Sequence, residues 1–135
     1  MIKWFINQKG SVTTETLIVS IILLFFLVIG PDLVMLGGNC FMAHKVSSDI
    51  VEQGTLQGHI DQSMCDKGKE VLEKFGIGTR SWTVTATEGE KIDMGMSMEC
   101  AISGIFRFTS FRLLGINLDI PIGSRKTGVS QVYYR

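Results

Sequence analysis

Few side chains in this 135-residue chain have the type and spacing for chemistry. Cys40 and His44 stand one helical turn apart, and His59 and Cys65 come later. Thiolate and imidazole are the usual zinc donors, but structural zinc sites draw on close pairs such as C-x-x-C. No such pair is present, so no metal is expected. There is no G-x-S-x-G, no H-E-x-x-H, no phosphate-binding loop and no dinucleotide fingerprint. Two histidines near one helix make no nucleophile–base pair. The chain is expected to be no enzyme and to need no cofactor. One group remains. Glu15 stands at the head of an apolar run, where a lone carboxylate is costly unless it is neutralised or paired.

That run must be the element that positions it. Leu17 to Ile29 holds twelve Leu, Ile, Val or Phe residues and one Ser. Those twelve contribute roughly −4 to −7 kcal/mol toward insertion at about −0.3 to −0.6 kcal/mol each. Glu15 and Asp32 flank the run instead of splitting it. As a helix, Thr16 to Leu36 spans roughly 31 Å, which matches a hydrocarbon core of ~30 Å. A membrane-spanning helix is therefore expected over 16–36. Lys3 and Lys9 precede the run, so the positive-inside rule keeps the N-terminus in the cytoplasm and exports the chain beyond residue 36. A cleaved secretory signal would need small residues before its cut, and no A-x-A-like site is present. An uncleaved signal anchor remains a competing reading.

Lys9-Gly10-Ser11-Val12-Thr13-Thr14-Glu15, joined directly to the apolar run, resembles the type IV prepilin signature. The resemblance implies that a prepilin peptidase cuts between Gly10 and Ser11, removing the basic leader MIKWFINQKG. It also implies that the new amine is methylated and that Glu15 is the acid kept inside the apolar segment. Ser11, where the major pilins carry an aromatic residue, is similar instead to TadE-like pseudopilins of Tad-type pili. The closing stretch LDIPIGSRKTGVSQVYYR also resembles TadE-like proteins of Gram-positive secretion or conjugation clusters. The partners implied are the peptidase, other pilin or pseudopilin subunits, the assembly platform and membrane lipid. The physical logic is independent of the family. Cleavage creates a positive amine at Ser11, and a neighbour displaced along a bundle can bring its amine to Glu15. Such a pair fixes register between subunits. The plainer reading makes Glu15 a first-turn acid favoured by the helix dipole, worth about 0.3 to 1 kcal/mol.

The remaining sequence reads as leader 1–10, assembly helix 11–58 and an exported α+β domain 59–135. Pro31 removes a backbone donor and is expected to kink or loosen the helix near where it leaves lipid. Met42, Val46, Ile50 and Val51 continue the helical spacing, and Gly54 and Gly58 should end it. A second helix is expected over Ser63 to Phe75, with a capping-box-like start at Ser63 and Asp66, an apolar face of Met64, Gly68, Val71, Leu72 and Phe75, and Gly76 at its end. The period then falls to two. Trp82, Val84 and Ala86 alternate with threonines; Ile92, Met94, Met96, Met98, Cys100 and Ile102 form a second alternating run. Glu88-Gly89-Glu90 would join them. Leu118, Ile120 and Ile122 surround Pro121, an edge-strand signal, and Val129 to Tyr133 offers a fourth strand. The methionines read as core packing. Residues 103–117 read either as strand or as loop. These runs together predict a small antiparallel sheet of three to four strands.

All three cysteines lie beyond the apolar run, in an oxidising compartment on this orientation. Cys65 and Cys100 are the candidate disulfide, tying the second helix to the central strand. Their 35-residue separation would make it worth about 3 to 4 kcal/mol in the entropic model. Cys40 is left to stay free, be acylated or pair between subunits. With 13 basic and 13 acidic residues, and 11 basic once Lys3 and Lys9 are lost, nothing points to nucleic acid as an obligate partner.

Overall fold

The computed structural model describes residues 3–87, 92–112 and 115–132, with side chains from residue 12 onward. One helix, α1, runs from Lys3 to Gln57, 55 residues and therefore roughly 80 Å. Its two halves have different sequence logic. Residues 12–27 are apolar on every side apart from a few hydroxyls and Glu15, and all of them are exposed. From Asp32 onward one face alone is buried, through Asn39, Ala43, Val46, Ser47, Ile50 and Val51, at the spacing of an amphipathic helix.

Gly58 ends α1. It takes a positive φ of 75° and its N–H returns to the Gly54 carbonyl at 2.8 Å, the left-handed cap that glycine tolerates. Gly54 does not end the helix, contrary to expectation. It lies inside α1 because a Cβ there would come within 2.6 Å of Ile60. Pro31 also lies inside α1, which continues past it for 26 residues to Gln57.

The second helix, α2, spans Gln62–Phe75 and turns back on α1. Its N-cap is Asp61, with no side-chain capping bond, so the expected box at Ser63 and Asp66 is not formed. The buried residues are Cys65, Gly68 and Leu72, while Val71 and Phe75 are exposed. The face is therefore rotated from the predicted one. Gly68 sets it, because a Cβ there would lie 2.8 Å from Ile50. Gly76 caps the C-terminus through its N–H to Leu72 O, as expected.

Three strands complete the fold: β1 (Thr79–Ala86), β2 (Ser97–Arg107) and β3 (Asp119–Val129), antiparallel in the order β1-β2-β3. A four-residue helix, α3 (Thr109–Arg112), interrupts the β2–β3 connection. Residues 103–107 are thus strand and 109–112 helix. The fold class is α+β, as anticipated, with three strands among the described residues. No fourth strand forms among them: of the expected Val129–Tyr133 run Val129 ends β3, residues 130–132 are not strand, and Tyr133 lies outside the described residues, as does the Glu88-Gly89-Glu90 turn. Pro121 pairs with Ile105 on an edge strand, where its missing N–H costs no second ladder bond.

β2 starts five residues later than its alternation suggests. Gly95 has φ 90°, a turn closes from Met96 N–H to Asp93 O, and Ile92 N–H bonds Gly58 O instead of a strand. The inward face is Met98, Cys100, Ile102, Gly104 and Phe106. Of the three methionines in that run only Met98 is core; Met94 and Met96 are about 60% exposed. In β1 a bulge at Ser81, φ 58°, turns Trp82 into the core. The core lies between this sheet face and the helices α1 and α2.

Candidate membrane helix and assembly site

Among the described residues, α1 alone is long and apolar enough to cross a membrane. Leu17 to Leu27 are each more than half exposed, apart from Ser20 all of them large and apolar, so this is no core helix of a water-soluble fold. Its polar groups are answered locally. Ser20 Oγ donates to Thr16 O at 2.7 Å, and Thr16 Oγ1 donates to Val12 O at 2.8 Å, so neither hydroxyl needs water.

The folded domain meets α1 before Leu36. Asp32 is 4% exposed, and its carboxylate accepts bonds from Ser110 N–H at 2.7 Å and Ser110 Oγ–H at 2.6 Å. Val28 O lies 2.7 Å from the same Ser110 Oγ and is a second acceptor within reach of that hydroxyl. Leu36 packs on the core, and Asn39 Nδ2 donates to Ile77 O at 2.7 Å. The folded domain therefore touches one face of α1 from about Val28 upward, while Leu33, Val34 and Phe41 on its other faces stay exposed.

Gly10 and Ser11 lie in the helical backbone of α1. Glu15 is exposed on the same helix. Cys65 and Cys100 are both buried in one core, and no disulfide links them in this structure. Burial pushes the Cys100 thiol up to about 11, and the neighbouring Cys65 adds to the shift. Cys40 is exposed and apart from both. His59 contacts Asp61 at 3.2 Å, and no metal-ligating cluster forms among the described residues. On the outer sheet face Arg107 grips Asp119 in a two-pronged pair at 2.9 and 3.1 Å, and its hydrogen bonding holds the Asp119 carboxyl below the usual range. Sequence reasoning missed the Asp32–Ser110 junction. The available signal was an acid placed directly after a proline in an apolar helix, a poor place for an unanswered charge.

The junction makes a local prediction. Removing the acceptor with Asp32→Ala leaves the Ser110 amide without its charged partner, a bond class worth about 1.5–3 kcal/mol. Hydrogen exchange at that amide should quicken about 10- to 100-fold, with α2 unchanged. A second prediction concerns alkali. Both states keep the Cys100 proton below pH 9; the unfolded chain loses it from about 9, the folded chain only near 11. Stability should thus fall as pH rises from 9 to 11, by about 1.4 kcal/mol per unit at most. Urea unfolding of wild type and Cys100→Val across that range should diverge by this amount.

A single long helix anchoring an α+β domain through its outer half defines the architecture. Residues 16–135 match the model of a domain of unknown function (DUF4320), and the chain belongs to that family. Comparison with curated proteins returned no match, and comparison with solved structures returned none.

Proposed function

We propose that this protein is a pilin-like structural subunit, a TadE-like pseudopilin or minor pilin. It is cut after Gly10 by a prepilin peptidase and assembled through α1 into a Tad-like pilus or secretion pseudopilus. The N-terminus starts in the cytoplasm and the domain from α2 onward is exported. The observation that carries this reading is the position of Glu15. The acid comes five residues after Gly10, on a helical stretch whose residues from Val12 to Leu27 are all exposed. An amine freed at Ser11 of a neighbouring copy is the counterion that suits a carboxylate at the head of an apolar run. Helix α1 supplies the assembly surface and the sheet carries any external contact.

The alternative is an uncleaved, signal-anchored accessory protein of a secretion or conjugation apparatus. One observation favours it: the family match starts at Thr16, past both Gly10 and Glu15. Co-expression with a prepilin peptidase separates the two. The wild-type chain should lose ten residues, and Gly10→Val should stay full length. A wild-type chain that the peptidase leaves whole supports the anchor.

A further inference from the structure

The apolar surface of α1 does not end cleanly where the folded domain begins. Phe111 of α3 reaches down alongside it. With Ile21, Phe25 and Ile29 it bounds an almost wholly apolar groove of about 350 Å³. Ile21 lies eleven residues below Asp32, roughly 16 Å along the helix. The groove therefore starts at the domain and runs down among residues that belong in lipid. Beyond α3 the chain keeps the same character. Ile116, bonded through its N–H to Phe111 O, is 53% exposed, and Leu118 is also exposed. Arg112 is exposed in the last turn of α3. Apolar side chains beside one cation suit the boundary between acyl chains and phosphate headgroups.

We propose that Phe111, Arg112 and Ile116, in the β2–β3 connection, form a second membrane contact. Phe111 and Ile116 enter the outer leaflet beside α1, a lipid acyl chain fills the groove, and Arg112 meets a lipid phosphate. The occupant is lipid because five of the groove's seven lining residues are α1 residues of the spanning stretch, so the surface is continuous with the one that lipid already covers. This rests on α1 spanning the bilayer. The contact fixes the tilt of the exported domain on the membrane: Asp32 clamps α3 to the helix, and α3 in turn rests on lipid.

The test uses the full chain with Trp4→Phe, reconstituted in phosphatidylcholine–phosphatidylglycerol vesicles. An indole is introduced by Ile116→Trp and, separately, Phe111→Trp; Phe25→Trp marks lipid and Lys69→Trp marks water. Bromine-labelled lipid should quench the added emission at positions 25, 111 and 116 by at least half, and aqueous iodide should quench only that at 69. Ile116 is exposed, so its variant folds even if that at Phe111 does not. Quenching at 25 with iodide-sensitive emission at 116 would overturn the second contact and leave the spanning helix standing. No lipid quenching at 25 would remove the spanning helix itself. Bromolipid quenching at 116 that fades as protein density rises would assign the groove to a second copy and also overturn the proposal.

Discussion

Glu15→Ala should enter the membrane at least as readily as the wild type and assemble at least about a hundredfold less. The two halves of this result have separate causes. An acid at the head of the apolar run opposes insertion, so its removal makes entry easier. In the proposed assembly the same acid faces a freed amine, and removing one partner of a buried charge pair costs about 3–5 kcal/mol because the other is left uncompensated. At 1.4 kcal/mol per decade that is two to three orders of magnitude in association. Glu15→Gln keeps the shape and loses the charge, so it should fail equally. Carbonate extraction reads insertion, and sedimentation or electron microscopy of sheared surface material reads assembly. Normal filaments from either variant would remove the counterion from the account.

The largest effect on the folded domain is expected at Phe106. Its side chain is 1% exposed, at the centre of the inward face of β2. The ring stacks edge-on with Phe108, centroids 5.2 Å apart, and lies against Gly78, which has φ 81° and no Cβ to keep it away. Phe106→Ala removes the ring and leaves a cavity that a sheet pinned on both sides by β1 and β3 cannot close. The expected loss is about 3–5 kcal/mol. For a domain of about 100 residues each kcal/mol moves the melting temperature by about 4–8 °C, so a drop of at least 12 °C is expected in detergent-solubilised protein. Ile105→Ala, one residue away on the exposed face, should stay within about 0.5 kcal/mol. Similar losses at both positions would mean that the inward face is wrongly assigned.

The long helix and the three-stranded sheet were legible because their signals are periodic. An unbroken apolar run reads as a lipid-facing helix, and the alternation of Trp82, Val84 and Ala86 reads as a strand. What escaped was decided by contacts distant in sequence. The Ile92–Met96 run alternates as well as Met98–Phe106 does, but Gly95 turns and the Gly58 carbonyl captures Ile92. Gly54 looks like a terminator by composition and acts as a close-packing site, because Ile60 folds back over it. The face of α2 is set by Gly68, whose role depends on Ile50 lying opposite. For the same reason hydropathy does not reveal where the folded domain first meets the helix. It registers Asp32 as the border of an apolar run, but only the fold brings Ser110 to it, 78 positions later. Of the candidate site, Gly10, Ser11 and Glu15 are read from the resemblance to the prepilin signature, and the counterion proposed for Glu15 lies on another molecule. The core holds both Cys65 and Cys100, the expected disulfide partners, but no disulfide joins them.

The most direct measurement is the N-terminal residue of the protein recovered from the membranes of cells that produce it. A chain that starts at Ser11, with or without a methyl group on its amine, is the predicted result. A chain that starts at Met1 and sediments as a monomer in mild detergent would contradict it, and the protein would then be a domain held to the membrane by an intact helix.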